Sequence, residues 1–140
     1  MEVHLTKRLV AALLLMASLP ASAAPSWLAG TWFGTGQPGD RSEMFLDSMG
    51  VDGKFRAHHR WCRKGKPLDQ YQAGTWVLKG DLLTINIATV NGKPSPESDP
   101  YRIVKHDAHT QTYVYLPINF SYTSSRVADS YQMPGCDLTS

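Results

Sequence analysis

The sequence predicts an all-β domain, a single antiparallel up-and-down barrel of about eight short strands. Runs of β-branched and aromatic residues recur at fairly even spacing between residues 29 and 127. Residues that favour turns separate these runs, and apolar residues do not recur at helical spacing. The short connections favour antiparallel neighbours, and a sheet of this kind can close on itself so that no edge is left exposed.

The expected strands follow one another along the chain, with a turn after each. They lie at residues 29–35, 42–49, 54–64, 70–79, 82–90, 100–107, 110–117 and 119–127. Several turns offer Gly, Asn or Asp where a positive φ is needed, namely Gln37-Pro38-Gly39-Asp40, Val51-Asp52-Gly53, Lys79-Gly80-Asp81 and Asn91-Gly92-Lys93. The segment 91–98 is the longest and most proline-rich loop, and we expect it to be a recognition element or a mobile lid.

A targeting segment precedes the barrel. Lys7 and Arg8 are followed by an apolar run over residues 9–19 and by the small-residue site Ala21-Ser22-Ala23. This pattern is typical of a signal peptide that covers residues 1–23, and the apolar run is too short for a permanent membrane anchor. We therefore expect one domain, residues 24–140, with no transmembrane segment after cleavage, in the periplasm or secreted.

The chain has two cysteines, Cys62 and Cys136. In an oxidising compartment we expect them to form a disulfide, which pins the C-terminal tail to the domain. It would stabilise the fold by on the order of 3–4 kcal/mol. The alternative is a reactive or metal-bound thiol.

Alternation along the strands assigns residues to the two faces of the sheet. Around the Gly80-Asp81 turn, one face carries the apolar set Trp76, Leu78, Leu83, Ile85 and Ile87, which we expect to point inward. In the third strand the inward set is Phe55, Ala57, His59 and Trp61, so Cys62 points outward. Tyr113 and Tyr115 share a face of the seventh strand, and the pattern leaves open whether they point in or out.

Two motifs add a family resemblance. Gly30-Thr31-Trp32 resembles the Gly-x-Trp signature of lipocalins and bacterial lipocalin-like domains. The resemblance implies that Trp32 closes one end of the barrel and that Arg126 packs over it as a cation–π contact. The stretch from Gly74-Thr75-Trp76 to Ile85 is similar to the central hairpin of these domains. The opening Ala29-Gly30-Thr31-Trp32 also resembles periplasmic protease inhibitors, which, like lysozyme inhibitors of that compartment, are compact barrels.

Charge and motifs exclude several function classes. The segment after residue 23 has 12 basic and 11 acidic residues, so no nucleic-acid or membrane partner is expected. A basic run within residues 56–66 is either a solvated strand end or a patch for an acidic partner. No nucleophile elbow is present, and we expect no enzyme and no cofactor. His58 and His59 point to opposite faces, and His106 and His109 could converge across a turn, but we expect no metal site.

These observations predict an exported, non-catalytic protein that binds a small ligand in or at the mouth of the barrel. Inward-pointing tyrosines favour this function, and outward-pointing tyrosines favour a protein partner. The candidate ligand-binding residues are Phe55, His59, Trp61, Tyr113 and Tyr115. The alternative is a periplasmic inhibitor-type barrel that binds a protease or lysozyme through its loops, and a third possibility is a structural envelope protein without a pocket.

Overall fold

The computed structural model describes residues 27–136, which form a closed antiparallel barrel of eight strands in sequence order. The predicted signal peptide, residues 24–26 and residues 137–140 lie outside the described residues. The strands are β1 Gly30–Gln37, β2 Asp40–Met49, β3 Lys54–Arg63, β4 Lys66–Lys79, β5 Leu82–Val90, β6 Lys93–His106, β7 Thr110–Tyr115 and β8 Phe120–Val127. β1 pairs with β8 through Trp32 and Arg126, so the predicted up-and-down barrel is confirmed.

The central hairpin has the predicted register. Trp76 of β4 lies opposite Ile85 of β5, and Leu78 lies opposite Leu83. Because side chains alternate along each strand, this register turns the apolar set of both strands toward the interior. Trp76, Leu83 and Ile85 are indeed buried in the core.

The prediction of a loop at residues 91–98 is wrong. Only Asn91 and Gly92 form the turn, with φ of 51° and 77°, and β6 begins at Lys93. Two successive positive φ angles are the geometry of the tight hairpin turn that Asn-Gly favours. Pro94 and Glu97 pair with Thr89 and Ile87 of β5, so the proline-rich segment belongs to the barrel wall.

Other strand boundaries differ from the prediction by a few residues, and two of them have a clear cause. β4 begins at Lys66 instead of residue 70, because β3 and β4 pair up to the turn at Lys64 and Gly65. β7 ends at Tyr115 instead of residue 117, because Pro117 lies at the start of a short 3₁₀ helix, Leu116–Ile118. Within residues 27–136, no helix has the length and apolar character needed to cross a lipid bilayer.

The disulfide between Cys62 and Cys136 is confirmed, with a Cα–Cα distance of 5.6 Å. The tail that follows β8 runs along the outside of the barrel. Asp129 accepts a hydrogen bond from the Thr31 hydroxyl at 2.8 Å, and the Tyr131 ring lies 5.3 Å from the Phe33 ring. The tail is therefore held along its length by polar and aromatic contacts and at its end by the disulfide.

Candidate ligand cavity

One end of the barrel is closed by Trp32. Its side chain is fully buried, and its indole Nε1 donates a hydrogen bond to the Leu28 carbonyl at 2.9 Å. The guanidinium carbon of Arg126 lies 4.3 Å from the centre of the Trp32 ring, in the cation–π arrangement. Arg126 also donates to the carbonyls of Trp27, Ala29 and Ala108, and so ties the segment before β1 and the β6–β7 turn to the barrel end.

Toward the other end, the barrel encloses a cavity of about 220 Å³. Gln37 and Pro38 lie at the β1–β2 turn and line it, so the cavity reaches the rim of the barrel opposite Trp32. The remaining wall consists of inward-pointing side chains from β2 to β8, namely Phe45, Asp47, Phe55, His59, Gln72, Ile85, Ile87, Glu97, Asp99, Tyr101, Tyr113, Tyr115 and Tyr122.

Four tyrosines from adjacent strands form one wall, which we call the tyrosine wall: Tyr101 of β6, Tyr113 and Tyr115 of β7 and Tyr122 of β8. The rings of Tyr113 and Tyr122 are stacked 5.4 Å apart, and the Tyr101 ring meets Tyr113 edge-on at 5.5 Å. Burial raises the pKa of Tyr122 to about 12 and raises the pKa of Tyr101 and Tyr113 as well. The hydroxyls therefore stay protonated at neutral pH and can both donate and accept hydrogen bonds.

Three carboxyl side chains also face the cavity: Asp47 of β2, and Glu97 and Asp99 of β6. The Tyr115 hydroxyl donates to Asp99 at 3.2 Å. Burial raises the pKa of Asp99, and the neighbouring charge of Glu97 raises it further. Burial alone raises the pKa of Asp47 to about 7. The interior thus disfavours negative charge, although three carboxyl groups that can ionise face it.

His59 lies at the edge of the cavity and contacts Glu43, with 3.2 Å between Nδ1 and the carboxylate oxygen. Burial, with a smaller contribution from the charge of His58, lowers the pKa of His59 to about 4. The ring is therefore neutral at neutral pH, so the contact with Glu43 is a hydrogen bond of a neutral ring, and burial raises the pKa of the Glu43 carboxyl. His59 does not offset the negative charge of the cavity.

The structure brings together four of the five candidate ligand-binding residues. Phe55, His59, Tyr113 and Tyr115 line the cavity, which answers the open question of where the tyrosines point. Trp61 does not line it: this residue pairs with Leu68 near the β3–β4 turn and is half-buried. It is past the cavity because β3 and β4 extend beyond the neighbouring strands at this end.

Sequence reasoning missed several lining residues, most importantly Asp47, Glu97, Asp99, Tyr101 and Tyr122. Glu97 was missed because it lies in the segment 91–98 that was expected to be a loop, and Asp99 because the predicted strand began after it, at residue 100. Asp47 had a usable signal, since it lies between Phe45 and Met49 at alternating positions of one strand. An acidic residue in the middle of an inward-pointing apolar set is the kind of local conflict that marks a functional position.

Two of the histidines outside the cavity, His58 and His106, have structural partners. His58 lies on the outer face, where its Nε2 is 2.7 Å from Asp69, and its ring stacks on Tyr71 at 4.4 Å. His106 stacks on Trp27 at 3.7 Å. Among the residues that the structure describes, no group of three or more His, Cys, Asp or Glu side chains is placed to hold a metal ion.

No family model, no curated protein and no solved structure matches this chain. What the cavity does is therefore argued from its own residues.

Proposed function

We propose that this protein is an exported, non-catalytic binding protein that takes a small ligand into the open end of its barrel. The observation that carries the proposal is the cavity of about 220 Å³ inside the barrel, which combines aromatic faces with polar groups that point inward. Ligand sites in proteins are concave, mostly apolar and equipped with a few convergent polar groups. The disulfide supports the exported location, because such bonds persist in oxidising compartments.

The volume limits the size of the ligand. Sites for drug-sized molecules have roughly 300–1,000 Å³, so this cavity suits a smaller compound. An eight-stranded barrel is wide enough inside for its own side chains or for one small ligand, which agrees with this size. The inhibitor-type alternative relied on a protruding loop at residues 91–98, and those residues form a hairpin of the barrel wall instead.

Native mass spectrometry tests the proposal on protein purified from its own envelope fraction without denaturation. We expect an added small mass that is released when the protein is unfolded. Ile87→Phe should lose this mass, because Ile87 lines the cavity and a larger ring there occupies the space.

Val77→Phe is the matched control, since Val77 lies on the neighbouring strand and is 44% exposed on the outer face. It should keep the added mass. The proposal would be contradicted if the wild-type protein carries no small molecule, or if Ile87→Phe retains the small molecule as well as the wild type does. A bound protein in its place would favour the inhibitor-type alternative.

A further inference from the structure

Apart from His59 and the tyrosines, the ionisable side chains that line the cavity are all acidic. Asp47, Glu97 and Asp99 line it, and none of the lining residues is Lys or Arg. Glu43 adds a further carboxylate behind His59, whose ring is neutral at neutral pH. An enclosed negative charge without a counter-charge is costly, so a cation that enters this cavity gains more than it would at the protein surface.

Asp47 points to a ligand independently of the other acids. Its side chain is half-buried and lines the cavity. Among residues 27–136 no group donates a hydrogen bond to its carboxylate, whereas Asp99 receives one from Tyr115. Asp47 therefore offers an unused acceptor inside the barrel.

The acids lie on opposite walls. β2 and β6 are four strands apart in a closed ring of eight, so Asp47 faces Glu97 and Asp99 across the interior. The tyrosine wall joins the two sides through β6, β7 and β8, and it offers ring faces and hydroxyl oxygens. Aromatic faces attract a nearby organic cation, and hydroxyl and carboxylate oxygens accept hydrogen bonds from an ammonium group.

We infer that the ligand of this cavity is a small organic amine, whose ammonium group is bound by Asp47 or by the Glu97–Asp99 pair and whose carbon chain lies against the tyrosine wall. This inference rests on the proposed function and names its ligand class. An amine with ammonium groups at both ends fits best, because the carboxylates face each other across the cavity. An anion of the same size would meet three carboxylates and no basic side chain.

Isothermal titration calorimetry with three compounds of similar length tests the inference on the mature protein. The compounds are 1,4-diaminobutane, the neutral 1,4-butanediol and the anion succinate. We expect the diamine to bind and the other two to show no binding. Asp47→Asn and Asp99→Asn should each weaken diamine binding by about tenfold or more, because each removes one charge partner of the ligand.

Asp81→Asn is the matched control, since Asp81 lies in the exposed β4–β5 turn and pairs with Arg102 on the outer surface. It should bind the diamine like the wild type. Circular dichroism confirms that each variant is folded, and Asp47→Asn removes a buried charge, so it is expected to fold.

If the diol or succinate binds and Ile87→Phe abolishes that binding, the inference is wrong and the proposed function stands. Diamine binding that neither Asp47→Asn nor Asp99→Asn weakens would also overturn it. If none of the three compounds binds, the amine inference is wrong, and native mass spectrometry tests the proposed function separately.

Discussion

Position 30 requires glycine because a neighbouring side chain leaves no room for a Cβ there. Its φ is 128°, and a Cβ at this position would lie 2.5 Å from the Arg126 Nη1. Arg126 needs that space to reach the Ala29 carbonyl at 2.7 Å and to cover Trp32. The first residue of the Gly-x-Trp motif thus leaves room for the arginine that closes the barrel end.

Gly30→Ala is expected to destabilise the protein more than Gly36→Ala. Both glycines have positive φ, so both variants strain the backbone by about 1–3 kcal/mol. Gly36 has open space around it, whereas Gly30→Ala must also displace the Arg126 guanidinium from its carbonyl partners. We expect this to cost a further ~1–2 kcal/mol in urea unfolding experiments. Equal losses would show that Arg126 does not depend on Gly30.

Asp47 is expected to make stability depend on pH. Burial raises its pKa to about 7 in the folded protein from an ordinary value of 3.8. Between these values the folded protein holds a proton that the unfolded chain has released. The carboxyl therefore stabilises the fold at acid pH, and this contribution is lost as pH rises through about 7.

Asp47→Asn should remove this dependence. From about pH 4 to about pH 7 the wild type should lose free energy of unfolding relative to the variant, by on the order of 2–4 kcal/mol. His59→Gln should shift the profile in the opposite sense, because the pKa of His59 is lowered and its contribution is lost as pH falls toward about 4. Parallel profiles for Asp47→Asn and the wild type would contradict the burial of this carboxyl.

At the scale of elements, the outer tail depends on the disulfide. The bond joins the end of β3 to residue 136 across a sequence separation of 74, and Arg60 adds a hydrogen bond to the Pro134 carbonyl at 3.2 Å. Arg60 is itself held by Asp69, whose carboxylate accepts hydrogen bonds from it at 2.7 and 3.2 Å. The tail packs on the outer face and adds no strand to the barrel.

The double variant Cys62→Ser, Cys136→Ser should lose on the order of 3–4 kcal/mol in the free energy of unfolding, because its unfolded chain is less restricted. Its far-ultraviolet circular dichroism should stay that of a β protein, since the barrel closes without the tail. Untreated wild type should not react with thiol reagents. Loss of the β signal in the double variant would show that the disulfide-bound tail is needed to form the barrel.

The elements that sequence reasoning found are those in which local pattern and tertiary role agree. The Trp76–Ile85 hairpin has a Gly turn and apolar alternation, and both point to the same register. The segment 91–98 was misread as a loop because proline usually ends a strand. Pro94 and Pro96 are tolerated there because β7 pairs with β6 only from Tyr101 onward, so this part of β6 has a strand on one side only.

The cavity could be predicted only in part. Phe55 and His59 followed from alternation on β3, because one strand is enough to define a face. The acids did not, since their meeting depends on the closure of the ring, which sets β2 opposite β6. The prediction that Trp61 lines the cavity was wrong because alternation gives the direction of a side chain but not its depth along the barrel axis.

At the scale of the whole molecule, the barrel is packed at one end and open at the other. Leu83 and Ile87 lie on the same face of β5 and are 3% and 4% exposed. Only Ile87 lines the cavity, and Leu83 packs in the core. Replacing each of these two residues with Phe and comparing the stability of the variants therefore shows where the barrel has space.

Ile87→Phe should change the free energy of unfolding by less than ~1 kcal/mol, because the added ring extends into the cavity. Leu83→Phe should cost about 1–3 kcal/mol, because it forces extra volume into a filled core. Thermal and urea unfolding of both variants measure the difference. Equal destabilisation would mean that the interior near Ile87 is filled.

The proposed function depends on a ligand held inside the barrel, and methyl NMR locates that ligand most directly. The small-molecule fraction released by denaturing the purified protein is added back to ligand-free protein with labelled isoleucine methyl groups. We predict shifts at Ile85 and Ile87, which line the cavity, and none at Ile118, which is 56% exposed on the outer surface. Shifts at Ile118 alone, or no shift at Ile85 and Ile87, would contradict it.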